Sequence, residues 1–235
     1  IHPVAGVPGG WSKSVSEAER QEIEAAARLN IDFALFSLKV FESVVLKNAA
    51  YMELIQSDVY LHKTYYMGTV DPSNRLNLYD GQIRVVDPEG GELVKYDVAD
   101  YAEHVAEHVE PWTYLKFPFL KKVGWKGFRD GPESGVYCAT PLSRLNVADG
   151  LTTPRAQEEF EKFRAAFGAG NANGRRQPVH HRLATHWARL IEMLYAAEAI
   201  RELLEDPDIF GKDLVTQGER ALEGVGVIEA PRGTL

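Results

Sequence analysis

The stretch SVSEAERQEIEAAARLNIDFALFSLKVFESVV, Ser14 to Val45, decides the fold class. Two overlapping capping boxes open it, Ser14-x-x-Glu17 and Ser16-x-x-Glu19, in which a hydroxyl and a carboxylate satisfy backbone N–H groups at a helix start. Behind them Ile23, Ala27, Ile31, Ala34, Leu35, Leu38, Phe41 and Val45 recur at helical spacing, so one long helix carries an apolar face. A second long helix is expected from about His181 to Glu205, with Leu183, Trp187, Leu190, Ile191, Leu194, Ala197 and Leu204 on its apolar side and Asp206-Pro207 ending it. Shorter helices are expected over Ala49 to Tyr60, over Val98 to Val109 before Pro111, and from the Thr153-Pro154 start to about Gly168.

Between these helices the period changes after Gly68. Leu76 to Tyr79 and Gln82 to Val86 flank Asp80-Gly81, a two-residue hairpin signal, and Asp87 to Gly91 leads to a third short strand at Glu92 to Tyr96. Residues 111–152, rich in Gly and Pro but also in aromatic residues, read as a long ordered excursion, and Gly168 to Gln177 as the most flexible stretch. The expected fold is therefore mainly α: a long-helix bundle with a small antiparallel β insert at about 66–96 and long ordered loops. Residues 1–235 are expected to form a single interior segment of a larger domain. The chain starts with Ile1 inside a Gly- and Pro-rich loop and stops at Leu235, and both ends read as cut.

Composition excludes several classes. With 45% hydrophobic and 26% charged residues the chain can bury a core. Its net charge of -8 argues against a nucleic-acid partner, which needs a basic face. Phe33 to Val45, the most apolar run, is broken by Lys39 and Glu42, so no membrane span is expected. Cys138 is the only cysteine; alone it can build neither a disulfide nor a metal site, and it reads as a structural thiol.

His104-Val-Ala-Glu107-His108 matches the inverted zincin pattern, in which two imidazoles one helical turn apart hold zinc and the glutamate activates water. A solvated helix face, rich in Glu and His, is the simpler reading. His180 and His181 read as a helix start and His186 as a packed or surface imidazole, because their spacing shares no metal-binding face. Asn146, Asp149 and Thr152 read as either ligands or loop residues. In Glu229-Ala-Pro-Arg-Gly233 an arginine sits between Pro231 and Gly233, on a backbone suited to aiming a guanidinium at a fixed point or to making a plain surface turn.

Several separated segments resemble the large subunit of nickel–iron hydrogenases, in that family's order. They are His2-Pro-Val-Ala-Gly-Val-Pro-Gly-Gly10, Trp112-Thr-Tyr-Leu-Lys-Phe-Pro118, Pro141-Leu-Ser-Arg-Leu-Asn146, His186-Trp-Ala-Arg-Leu-Ile-Glu192 with Tyr195-Ala-Ala-Glu198, and the closing Glu229-Ala-Pro-Arg-Gly-Thr-Leu235. Asn77 to Gly81, Val85 to Gly90 and Lys121 to Gly127 are closest to the cytosolic methyl-viologen-reducing type that works with heterodisulfide reductase, with the NAD-coupled type as the near alternative.

The resemblance implies heterolytic cleavage of H2 at a Ni–Fe centre whose iron carries CO and cyanide. The centre is held by two Cys-x-x-Cys motifs that lie outside this chain. It implies that Arg232 overhangs the open metal position, that Pro231 shapes that backbone, that Leu235 belongs to the apolar wall, and that His2 lies near the site. Glu229 keeps the family's pattern, whereas Cys138 stands where the family commonly has Arg and Ser143 where it commonly has Ala. Implied partners are the iron–sulfur small subunit, together with either heterodisulfide reductase or NAD-linked diaphorase subunits, in the cytoplasm. A cofactor-free structural homologue, as in respiratory complexes, and an inverted-zincin peptidase are the competing functions.

Overall fold

The computed structural model describes residues 6–168, 171–172, 175–218 and 221–234. Helix α1 runs Glu17–Phe41 and starts at the second of the two capping boxes: the Ser16 hydroxyl accepts from the Glu19 amide, and the Glu19 carboxylate accepts from the Ser16 amide. It loosens into a π-helical turn, Glu42–Leu46, and helix α2, Ala49–Ile55, begins where the Asn48 side chain accepts from the Ala50 and Tyr51 amides. Ala27, Ile31, Ala34 and Leu38 are buried on one side of α1, one helical turn apart, as the apolar period requires.

A four-stranded sheet follows. Its strands are β1 (Tyr65–Val70), β2 (Gln82–Val86) and β3 (Glu92–Tyr96), with β2 antiparallel to both neighbours. The hairpin expected from the sequence is thus corrected. The partner of β2 is β1, and Leu76 to Tyr79 is not a strand. Leu76 leaves the sheet to fill the helical core, its amide donating to the Gly150 carbonyl, while the Asn77 side chain accepts from the Tyr79 and Asp80 amides and folds the rest into a loop.

Strand β4 (Val105–Val109) pairs with β5 (Lys116–Leu120) in a separate hairpin, and β6 (Tyr137–Cys138) lies parallel to β1 as the fourth strand of the sheet. The expected helix at Val98 to Val109 is likewise corrected: a 3-10 turn, Val98–Asp100, and a helical turn, Tyr101–His104, form its first half, and the rest is strand β4. Pro111 lies in the connection of this second hairpin, and its aromatic residues pack on one another, with Phe117 and Trp125 both against Phe128.

Helix α3 is Pro141–Val147, α4 is Pro154–Ala166 and α5 is Thr185–Glu205. Thr153 occupies the N-cap of α4 without capping it. The Glu198 carboxylate of α5 does so instead, accepting from the Arg155 and Ala156 amides, which places a negative charge at the positive end of the α4 dipole. Of the stretch read as flexible, 169, 170, 173 and 174 lie outside the described residues.

Two main apolar clusters result, with a third, minor one between them. The larger joins Ile31, Ala34 and Leu38 of α1 to Phe160 and Phe163 of α4 and to Trp187, Ile191 and Leu194 of α5. The smaller is built on the sheet from Tyr65, Met67, Ile83, Val85, Tyr96 and Leu120. β1 connects them through its period of two: Tyr65 and Met67 face the sheet cluster, while Tyr66 and Val70 join Val147 at the end of α3 on the other face. Gly68 lets α3 lie close, since a Cβ there would sit 3.0 Å from the Arg144 Cγ. The molecule is mixed α and β, long helices beside small sheets, rather than a mainly-α bundle with an insert.

Candidate functional site

Helix α3 aims Arg144, only 2% exposed, across the back of β1. Its Nη2 donates to Glu192 Oε2 of α5 at 2.8 Å while Nε donates to Oε1, a bidentate pair. Its Nη1 donates to Glu229 Oε2 and to the Ala230 carbonyl, both at 2.9 Å. The other oxygen of Glu229 accepts from the Thr69 amide at 2.9 Å, from the Thr69 hydroxyl and from the Thr234 hydroxyl. Burial opposes the charge on Arg144, but Glu192 and Glu229 outweigh it and raise the guanidinium pKa further. Burial pushes the Glu192 carboxyl up, against the pull of Arg144. Two carboxylates share one guanidinium here, and Arg189 adds a weaker positive field on Glu192.

This network clamps the end of the chain. Strands β7 (Glu229–Ala230) and β8 (Gly233–Thr234) pair antiparallel, with Pro231 and Arg232 as the connecting turn. The Pro231 carbonyl accepts from Arg189 Nη1. Gly233 lies so close to β6 that an added Cβ would sit 1.5 Å from the Ala139 carbonyl oxygen. Arg232 at the tip is exposed, and no ion pair or hydrogen bond engages its side chain among the described residues. Beside the hairpin a cavity of about 290 Å³ is lined by Met67, Ile83, Tyr96, Val225 and Thr234, and the buried Tyr96 hydroxyl has no partner among the described residues.

The N-terminal loop docks on the segment that leads to this hairpin: the Trp11 amide donates to the Leu214 carbonyl and the Thr216 amide to the Gly9 carbonyl. His2 and Leu235, both expected at the site, lie outside the described residues.

Other candidates resolve into structural roles. His104 stacks on Tyr96 with ring centroids 4.0 Å apart, and His108 on Trp125 at 4.3 Å. Because β4 replaces the expected helix, the two imidazoles share no helix face, and Glu107 pairs with Lys116 instead. The inverted-zincin reading fails on this geometry. Asn146 bridges both backbone groups of Val179, Asp149 meets Arg84 and Asn74, and the Thr152 hydroxyl donates to Tyr195, so none is left as a ligand. Cys138 is buried, its sulfur against the Thr140 hydroxyl and Arg182. Ser143 caps its own helix by accepting from the Thr140 amide. Arg144 and Glu192 both fall within the motifs that carry the resemblance, but nothing in their spacing of 48 residues announces a pair.

No family model matches the chain. It is 45% identical, over its whole length, to the iron–sulfur subunit of the F420-non-reducing hydrogenase of Archaeoglobus profundus, of which it covers 47%. It is 39% identical to a vhu subunit of the F420-non-reducing hydrogenase of Methanococcus voltae, covering 51% of it, and 37% identical to the NAD-reducing hydrogenase HoxS subunit beta of Cupriavidus necator, covering 46%. A solved structure of NAD+-reducing NiFe-hydrogenase in the H2-reduced state superposes with a TM-score of 0.82 at 35% identity, over 98% of this chain and 47% of that one. The chain spans about half the length of the curated relatives it matches.

These names correct the assignment expected from the sequence. The Archaeoglobus relative is called an iron–sulfur subunit, which overturns the identification with the catalytic large subunit. With it goes a Ni–Fe centre carrying CO and cyanide as the cofactor. The donor set is equally bare. Among the described residues no group of three or more His, Cys, Asp or Glu could hold a metal ion. An iron–sulfur cluster does not fit this chain's own residues either, because its usual ligands are cysteine thiolates and the single one here is buried against Thr140 and Arg182. What stands is a likeness, over the whole chain, to subunits of hydrogenases.

Proposed function

We propose that this chain is part of a subunit of an H2-converting oxidoreductase, of the kind whose relative is named an iron–sulfur subunit, and that the Glu229–Thr234 hairpin is its working element. The observation that carries this reading is the contrast at Arg232: a guanidinium with no partner among the described residues, on a backbone fixed by Arg144, Arg189 and Gly233. A cation held this rigidly can meet an anionic group, or charge that develops during turnover, without reorganising. Pro231 fixes the turn and Glu229 anchors it, while His2 and Leu235 are proposed to complete the surroundings.

The partners proposed are the remaining subunits of the assembly. An iron–sulfur subunit is no longer the expected partner, since a relative of this chain itself bears that name. NAD-linked diaphorase subunits and heterodisulfide reductase are the proposed electron acceptors, and the likeness to the NAD-reducing enzyme supports the first. No helix among the described residues is long and apolar enough to cross a membrane, and the cytoplasm is the proposed location.

The test is Arg232→Gln in the full-length subunit within its purified assembly, read as H2-dependent dye reduction. Loss of a fixed cation at a site of developing charge costs about 100-fold in turnover, by analogy with removing one preorganised donor. Arg232→Lys is expected to recover part of it. Unchanged turnover in a correctly assembled Gln variant overturns the role.

A further inference from the structure

Helix α1 and the π-helical turn after it carry a second apolar stripe, on the side away from the core. Leu29, Phe33, Phe36, Val40 and Val44 are 70%, 58%, 61%, 42% and 54% exposed. At about 100° per residue Leu29, Phe33, Phe36 and Val40 fall within roughly 60° of arc, opposite Ala27, Ile31, Ala34 and Leu38, and Val44 continues the stripe into the π-helical turn. Exposed Ala25 and Ala26 extend the stripe with side chains small enough for close approach, and polar Arg28, Asp32 and Lys39 border it on one side, Asn30 on the other. A helix with one face in solvent needs one apolar stripe; a helix apolar on two opposite sides is the middle layer of a larger packing. The Archaeoglobus relative, 45% identical over the matched span, carries about as much chain again outside it.

We propose that this stripe is the seat of a second amphipathic helix supplied by the same polypeptide, from the part of the full-length subunit outside residues 1–235. Leu29 to Val44 rises about 22 Å along the axis, so the occupant is a helix of about 15 residues or more, apolar on one face and polar at its rim. The proposal is independent of the assignment to an H2-converting assembly, because neither its argument nor its test uses turnover.

The experiment is made on the full-length subunit. Hydroxyl-radical footprinting of the unsubstituted protein reads Phe33 and Phe36 directly; both rings are expected to be oxidised at least about tenfold more slowly than in the urea-unfolded chain, as buried rings are. A benzophenone amino acid at position 36 is expected to crosslink within one polypeptide, to a peptide outside residues 1–235. Rates near those of the unfolded chain overturn the proposal. So does a crosslink to a second copy or to a different subunit, or protection that vanishes on dilution.

Discussion

Arg144 holds a position where neither partner can be given up. Its guanidinium is buried and binds Glu192 and Glu229, and each carboxylate would be left charged in the interior without it. Arg144→Met is therefore expected to destabilise the protein by about 3–5 kcal/mol, the cost of breaking a buried ion pair from one side, measured by urea denaturation at neutral pH. A loss below about 1 kcal/mol, on the same scale, would mean that water already screens the pair. His180 sets a pH dependence by a different route. Burial, with Lys63 nearby, lowers its pKa from 6.5 to about 4, and Nδ1 lies 2.7 Å from the Tyr66 hydroxyl. Between those values the unfolded chain binds a proton that the folded chain refuses, so this stability is complete above pH 6.5 and is lost as pH falls towards 4. Discounted for the ring's partial exposure, it amounts to about 2 kcal/mol. His62 and His181, also lowered by burial, act in the same direction. His180→Gln keeps a hydrogen-bonding side chain beside Tyr66 and removes the titration, and its urea midpoint should fall less steeply with acid; parallel curves would assign the acid loss elsewhere. At this scale the sequence shows that Glu229 and Arg232 are paired with constrained backbone. It does not show that Arg144 reaches both Glu192 and Glu229, because that reach depends on how α3 crosses β1.

Local rules were most legible where an element is specified by its own residues. The capping box at Ser16 and the period of α1 mark a helix that forms where expected, and α5 ends at Asp206-Pro207, where Asp206 caps the next turn. They failed where a tertiary partner decides. Asp80-Gly81 is a hairpin signal, but the strand paired with Gln82–Val86 is Tyr65–Val70, which is buried at every residue and so shows no apolar–polar alternation. The same competition turns Val105–Val109 into a strand, because Lys116–Leu120 offers it a ladder that a lone helix turn lacks. The β7–β8 hairpin depends on a glycine for a steric reason that only the packing reveals. Gly233→Ala would drive a methyl into the Ala139 carbonyl and lift Glu229 off Thr69 and Arg144. It is expected to cost about 3 kcal/mol or more, as overpacking against backbone does, whereas Gly226→Ala, with open space around it, should stay within about 0.5 kcal/mol. Thermal melts of the two variants side by side give the comparison, and equal shifts would show that the hairpin is free to move.

At the scale of the whole molecule the two apolar clusters meet along α3 and β1. Leu142 and Leu145 of α3 belong to the helical cluster, Val147 packs with Tyr66 and Val70, and Arg144 between them binds α5 on one side and the closing hairpin on the other. Arg84 repeats the pattern from β2, donating to the Val147 carbonyl and pairing with Glu92 and Asp149. The sheet is thus fastened to the helices by two cations as well as by side-chain packing. Apolar contact alone would leave each cluster its own core and hence its own opening reaction. If Arg144 is what makes the two units open together, Arg144→Met should separate their hydrogen exchange. Amides of β1, β2 and the β7–β8 hairpin would exchange faster by a factor set by the lost stability, while amides in the middle of α5, around Ile191 and Leu194, would keep more of their protection. A core substitution in the helical cluster, Phe160→Ala, supplies the contrast: it should cost about 3–5 kcal/mol and weaken α1, α4 and α5 first. Were both variants to accelerate exchange uniformly across sheet and helices, the chain would be one cooperative unit. Arg144 would then contribute stability without coupling the closing hairpin to the helical core.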